Sequence, residues 1–438
     1  MLSDGHLTLP ELDYMLVGEK LNSEATLYDG VWENIAPLSA GVYMVLDFLF
    51  GRSQTAYYWV GLFLLFFQCF LFNRLLLSNK AYKENTYIPG LIYAILMSFF
   101  FDFITLTPQL MSQTFLLLAL NNIFSHIEFR AKRDEKILNI GIYIGLASLF
   151  YLPNIIFGFA ALILFVFFTG TVLRRYLLLF FGFGLPLLLA TTYFLLTDRI
   201  FEFIYSFINP ILTLESQSYF TLLQTVILFA VPILVLIASF VRINQRARFT
   251  NYQTRLTQAM FVWFVFSFLF VLIANQYSPN IFLVFAPPVA FFTSHYLLLM
   301  KNRLVSEIVF IVIFAAMILF NHGTRFNFFF TKDVLSMEEY VVSEGDAALE
   351  GKKVLVLDEN LNAYINCQPA TPFLDWNMVS DLFEELDYYD NQVIILRGFE
   401  NDMPEVIVDP NGVMPAVFNK MPTLASKYSK QGARYYLN

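Results

Sequence analysis

Residues 256–300 read LTQAMFVWFVFSFLFVLIANQYSPNIFLVFAPPVAFFTSHYLLLM and contain no Asp, Glu, Lys or Arg. A helix that crosses a bilayer needs about 20 mostly apolar residues, with a lower limit near 17. This 45-residue run is long enough for two crossings, and Asn275-Gln276-Tyr277-Ser278-Pro279-Asn280 divides it with turn-forming residues. Residues 137–173 repeat the arrangement over 37 residues, divided at Tyr151-Leu152-Pro153. Further charge-free runs cover 53–73, 85–101, 103–127, 176–197, 216–241 and 308–324. Together they predict ten spans, near 56–73, 86–105, 108–124, 137–150, 153–172, 176–197, 219–241, 257–275, 281–300 and 304–321. The fourth is the shortest.

The composition agrees. Of 438 residues, 58% are hydrophobic and 14% charged, against about 25% charged in a soluble globular protein. A soluble enzyme, a disordered chain and a disulfide scaffold are excluded. The two cysteines, Cys69 in an apolar run and Cys367 in the polar tail, suggest no disulfide framework. The net charge of −8 argues against a nucleic-acid partner. Residues 332–438 hold 18 acidic and 8 basic residues, so the whole acidic excess lies in the tail.

Positive charge alternates between loops. Arg74, Lys80 and Lys83, then Arg130, Lys132, Arg133 and Lys136, then Arg174 and Arg175, then Arg242, Arg246, Arg248 and Arg255, then Lys301 and Arg303 all fall on one side. The other side has Lys20, Arg52 and Arg199 before the tail. The basic side is therefore expected to be cytoplasmic. The N-terminal segment, the 198–218 loop and the tail are then extracytoplasmic. The first 34 residues carry seven carboxylates with no signal peptide ahead of them, so a helix before Met1 is expected to carry them across.

Residues 36–51 are apolar at helical spacing but too short to span, which predicts an interfacial helix in the outer leaflet. The fold class is thus an α-helical polytopic membrane protein with about ten transmembrane helices, an interfacial helix and a small C-terminal α/β extracytoplasmic domain. The expected divisions are 1–52 (acidic loop and interfacial helix), 53–322 (membrane domain) and 323–438 (α/β domain). In that last domain, Lys353–Asp358, Gln392–Leu396, Glu405–Asp409 and Ala433–Leu437 read as strands. Asn377–Tyr389 and Val413–Lys430 read as helical, and Pro410-Asn411-Gly412 as a turn. No histidine pair has metal-ligand spacing and no phosphate-binding loop is present. Gly182-Phe183-Gly184 reads as a helix-packing element.

The carboxylates Glu11, Asp13, Glu19, Glu24, Asp29 and Glu33 crowd the first outer segment. Such a cluster holds a divalent cation or a general base, or simply keeps a loop solvated. Asp102 is an acidic residue inside a predicted span, and an ionisable group there is costly without a purpose.

Leu9-Pro10-Glu11-Leu12-Asp13-Tyr14, then Tyr28-Asp29-Gly30-Val31-Trp32-Glu33-Asn34-Ile35-Ala36-Pro37-Leu38, then Phe48-Leu49-Phe50-Gly51 resemble the first periplasmic loop of the GT-C superfamily. These are multi-spanning glycosyltransferases that use lipid-linked sugars, among them protein mannosyltransferases and lipid A aminoarabinose transferase. Gly145-Leu146-Ala147-Ser148-Leu149 resembles their fifth-helix motif. Met403-Pro404-Glu405-Val406-Ile407-Val408-Asp409, with Tyr428 and Ala433-Arg434-Tyr435-Tyr436, resembles their C-terminal domain. The chain departs from the pattern at Pro10, Thr107 and Tyr151, where relatives carry Asp, Asp and Lys.

The resemblance implies an enzyme of a bacterial inner membrane. Its donor would be a polyprenyl-phosphate sugar and its acceptor a glycolipid, glycan or protein. Glu11, Asp13 and Asp102 would be catalytic. Tyr14, Tyr28, Asp29, Trp32, Glu33, Arg52, Arg199 and Arg325 would contact substrate and membrane lipid, and a divalent cation is the one candidate cofactor. The competing readings are a non-catalytic subunit of an envelope assembly or secretion complex, and a lipid-linked glycan flippase or polymerase. The flippase would need intramembrane cations that the sequence lacks.

Overall fold

Each of the ten predicted spans contains a helix among its described residues. The computed structural model describes residues 7–23, 25–129, 134–169, 172–213, 217–218, 220–246, 249–274, 276–326, 340–343 and 345–438. Glu24, Arg130, Lys132, Arg133, Arg248 and Asn275 lie outside them, as do the side chains of Arg246 and Arg325.

The chain opens with α1 (Leu9–Asn22) and α2 (Pro37–Phe50). There follow α3 (Gln54–Ser78), α4 (Ile88–Met97), α5 (Pro108–Phe129), α6 (Asp134–Phe150), α7 (Ile156–Thr169) and α8 (Leu173–Leu196). A short segment then runs through α9 (Ile200–Phe203), a π-helical turn and α10 (Asn209–Thr213). The helices α11 (Leu222–Leu228), α12 (Ala230–Arg246), α13 (Asn251–Leu272), α14 (Ala286–Leu298) and α15 (Arg303–Phe326) complete the apolar part. Two-residue strands β1 (Gln217–Ser218) and β2 (Gln276–Tyr277) pair in parallel.

Four described helical stretches, Gln54–Ser78, Leu173–Leu196, Asn251–Leu272 and Pro279–Leu298, are long and apolar enough to cross a membrane. The pair α11–α12, bent by 66°, makes a fifth if it is one span. The expected spans near 86–105, 108–124, 137–150 and 153–172 are helical but shorter or more polar. The segment near 86–105 is α-helical only to Met97, and a 3-10 turn follows over Phe101–Ile104. Ser98 marks that break, its hydroxyl donating to the Ala94 and Ile95 carbonyls at 2.7 and 3.3 Å and so competing for the helix's own acceptors. Pro108 then starts α5 from its favoured first-turn position.

The contacts divide the chain into two units. The first contains Met1–Ala56, Phe194–Pro210 and Met337–Asn438, and the second contains Tyr57–Tyr193 and Ile211–Ser336. In the second unit α6 and α8 meet through glycine. A Cβ on Gly141 would stand 2.3 Å from the Leu179 carbonyl oxygen, and one on Gly182 would stand 2.3 Å from that of Leu138. Small residues permit this backbone approach where apolar burial gives no drive for association. Gly182 is thus the packing residue of its motif, while Gly184 meets nothing within 4 Å.

In the first unit α2 behaves as its sequence predicts. Fourteen residues span about 21 Å, too short to cross. Ser39, Ala40, Tyr43 and Leu46 face inward, while Val45, Phe48, Leu49 and Phe50 are exposed. Gly51 ends the helix with φ +62°, a conformation that favours glycine.

The C-terminal part is a five-stranded sheet with β3 (Lys353–Val356), β4 (Gln368–Pro369), β5 (Val406–Val408), β6 (Tyr428–Gln431) and β7 (Arg434–Leu437) in the order β4-β3-β5-β7-β6. β4, β3 and β5 are parallel, and β7 runs antiparallel to both β5 and β6. Helices α16 (Trp376–Glu384) and α17 (Tyr389–Asn401) cover it with Val379, Phe383, Ile395 and Phe399, and α18 (Met414–Lys420) adds Met414 and Val417.

Two sequence expectations fail here. Gln392–Leu396 belongs to α17, not to a strand. A five-residue apolar run fits either element by itself, and burial at Ile395, Gly398 and Phe399 shows helical spacing. The expected helix over 413–430 is instead α18, the short turn α19 (Pro422–Ala425) and strand β6. Pro422 cannot continue α18 because it lacks the N–H.

Candidate functional site

The acidic segment is organised by a helix rather than an open loop. Thr8 caps α1, its Oγ1 accepting from the Glu11 N–H at 3.3 Å, with Pro10 inside the first turn. Thr8-x-x-Glu11 is a capping-box spacing, so this start was legible. Residues two apart on a helix point to different sides. Glu11 accordingly accepts from Gln54 Nε2 at 3.2 Å, whereas Asp13 interacts electrostatically with Asp375 and Glu33. Tyr14 stacks on Tyr43 of α2, with centroids 5.1 Å apart and planes within 4°.

A tight turn follows α1. Tyr28 has φ +73°, an uncommon conformation for a residue with a Cβ. Its hydroxyl donates to the Ile35 carbonyl at 2.7 Å, and its ring packs at a tilt against the stacked pair Phe194 and Phe203. Tyr28 thus fastens the turn from a fully buried position. Asp29, beside it, is exposed.

The next residues join the C-terminal domain. Trp32 forms a parallel bridge with Phe373, donates its N–H to the Pro372 carbonyl at 2.8 Å, and accepts from the Asp375 N–H at 3.2 Å. Its ring meets Phe373 and Tyr205 edge-on at 6.3 Å. This short splice holds Glu33 near Asp375. Asp375 is the N-cap of α16 and accepts from the Asn377 N–H at 3.0 Å.

Asp13, Glu33 and Asp375 therefore form a cluster of mutually repelling carboxyls. Burial, then the charge of Asp375, pushes Asp13 up to about 8. Burial, then Asp13 and Asp375, raises Glu33 well above the usual carboxylate range. Burial raises Asp375 to about 6, with the Asn377 and Met378 amides opposing it. Glu33 is 5% exposed, and its Oε2 and Asp13 Oδ1 are enclosed without hydrogen-bond partners. Near neutral pH the cluster retains protons on some carboxyls and can accept one on others. This is the state a general base needs.

The cations of this unit are mostly engaged. Arg52 donates from Nε to Glu19 at 2.9 Å, and from its Nη atoms to Glu19 and to the carbonyls of Tyr364, Ile365 and Cys367. Lys20 is 5% exposed and bonds Asp402 at 2.7 Å, and Lys353 holds the other oxygen of Asp402. Arg199 differs. It is half-buried before α9, and among the described residues its guanidinium has no ion pair or side-chain hydrogen bond. Exposed Leu195, Leu196 and Phe201 surround it in sequence. Arg325 lies in α15, with its side chain outside the described residues.

Asp102 belongs to the second unit. It is fully buried, accepts from Thr105 Oγ1 at 2.9 Å, and accepts from Asn280 Nδ2. Among the described residues no three His, Cys, Asp or Glu side chains are arranged to hold a metal ion. Asp375 was missed by sequence reasoning. Asp375-Trp376-Asn377 signals a helix cap, but nothing local ties that cap to an acidic segment more than 340 positions earlier.

No family model matches the chain, and no curated protein does. Among solved structures the chain is similar to ArnT from Cupriavidus metallidurans. The likeness to the apo state has 15% identity and TM-score 0.49, covering 69% of this chain and 57% of that one. The likeness to the form bound to undecaprenyl phosphate has 13% identity and TM-score 0.46, covering 68% and 57%. The apo oligosaccharyltransferase of Archaeoglobus fulgidus is similar at 13% identity and TM-score 0.41, covering 67% and 46%. The chain thus spans 57% of the length of the ArnT structures.

Proposed function

We propose that the chain is a membrane glycosyltransferase that moves a sugar from a polyprenyl-phosphate donor to a hydroxyl of an envelope acceptor. The observation that carries this reading is the buried Asp13–Glu33–Asp375 cluster, set on the segment that resembles the donor-using superfamily. The acceptor oxygen attacks the anomeric carbon as its proton passes to a carboxylate of the cluster. The bond from the anomeric carbon to the phosphate oxygen breaks, and the lipid phosphate leaves with the electron pair. Arg199 offers its guanidinium to the leaving phosphate, with exposed Leu195, Leu196 and Phe201 nearby in sequence for the lipid. The charge on that phosphate grows during bond breaking, so a positioned cation lowers the barrier.

A second reading, a non-catalytic subunit, draws on the engagement of Arg52 and Lys20 in internal ion pairs. One experiment separates the two. Envelope glycolipids and glycans are profiled by mass spectrometry in a deletion strain and in strains complemented with the parent chain or with Asp13→Asn plus Glu33→Gln, at equal membrane levels. The enzyme reading expects one sugar to vanish in the deletion and to return only with the parent. Full restoration by the double variant would overturn it and leave the subunit reading in place.

A further inference from the structure

The second unit contains a cleft that the reaction above does not use. It has a volume of about 590 Å³ and is open on one side, lined by Phe167 of α7, Phe240 and Ile243 of α12, Gln258 and Phe261 of α13, and Phe292 of α14. Its size falls within the roughly 300–1,000 Å³ of small-molecule sites. Its lining is almost wholly apolar, so it suits a hydrocarbon chain.

The cleft lies at the basic ends of its helices. α12 ends at Arg246, α13 begins at Asn251, and α7 ends five residues before Arg174. Arg255 precedes Gln258 by three positions, so it continues the cleft-lining stripe of α13 by one turn toward that end. Arg242 sits between the lining residues Phe240 and Ile243 in sequence, with its guanidinium over the Tyr296 ring at 5.5 Å and its Nε enclosed without a partner. Among the described residues, the ion pairs of this unit are Arg174 and Arg175 with Asp134, and Arg303 with Glu307. Neither Arg242 nor Arg255 is in that set, so neither has a carboxylate partner among the described residues. Two unneutralised guanidinium groups thus flank the apolar cleft.

We propose that this cleft binds an anionic membrane phospholipid, one acyl chain lying in the cleft and its phosphate meeting Arg242 and Arg255. Charge complementarity selects this occupant over a zwitterionic lipid. Each cation near an anionic lipid surface contributes about fivefold in binding, so the pair supplies roughly twenty-fivefold. Aromatic walls give the chain contact without polar groups to desolvate.

The test uses the full chain in nanodiscs with Phe261→Trp as reporter, the signal of the four native tryptophans being subtracted from a parallel sample of the parent. Bromine-labelled acyl chains quench a tryptophan they touch. Brominated phosphatidylglycerol is expected to reach half-maximal quenching at a mole fraction about tenfold or more below that of brominated phosphatidylcholine. Adding Arg242→Gln and Arg255→Gln should bring the two curves together. If that double change unfolds the protein, Arg255→Gln alone should narrow the gap about fivefold. Equal curves for the two lipids on the Phe261→Trp chain, or a gap unchanged by the arginine substitutions, would overturn the proposal.

Discussion

Replacing Asp13 with Asn should stabilise the first unit at alkaline pH while abolishing transfer. Asp13 rises from an ordinary 3.8 to about 8 on folding. A carboxyl with a raised folded-state pKa contributes stability that is fully present below its unfolded value and is lost as pH climbs through the folded one. The loss therefore runs from about pH 4 to about pH 8. It proceeds at up to about 1.4 kcal/mol per pH unit, the value of one proton. Four units set an upper bound near 6 kcal/mol. Glu33 and Asp375 titrate with Asp13, so part of that change remains in the variant, and about 2 kcal/mol is the expected gain at pH 8.5. The assay is thermal unfolding of the detergent-solubilised chain from pH 5 to 9, parent against Asp13→Asn, with donor hydrolysis or transfer measured on the same samples. The variant's advantage in melting temperature should grow from pH 5 to about pH 8 and then level off toward pH 9. Parallel melting curves at every pH would refute the argument, since a carboxylate held in water gives no such slope.

The companion change Asp375→Asn removes the charge that raises Asp13, so the steep part of the pH–stability curve should move to lower pH, which the same melts would register. Arg52→Met should lower stability by roughly 1–3 kcal/mol, because it strands Glu19 and three backbone carbonyls in a half-buried site; protease protection of α1 reads it out. Gly141→Leu should cost about 3 kcal/mol or more, since even its Cβ would stand 2.3 Å from the Leu179 carbonyl oxygen, and a drop in monodisperse yield from detergent would record it.

The sequence made the membrane helices legible because absence of charge over 20 residues has one cheap explanation. The interfacial helix α2 was equally plain from its length. The five-residue run Gln392–Leu396 was not, because strand and buried helix share that pattern until a partner surface chooses. The candidate site divides in the same way. Asp13 and Glu33 stood out as carboxylates in an apolar chain, yet the roles differ from what composition implies. Tyr28 and Arg52 hold the backbone in place, which depends on the turn that brings Ile35 to Tyr28 and on the distant carbonyls of Tyr364 and Cys367. Asp375 was invisible because its neighbours in space come from the opposite end of the chain.

The splice between Trp32 and Phe373 has a consequence for when the first unit can be completed. Trp32 also touches Tyr205, so stretches from the start, the middle and the end of the chain meet in one unit. The carboxylate cluster therefore stays incomplete until the last hundred residues have been made, and a chain that stops before Asp375 leaves Asp13 and Glu33 without their third carboxyl.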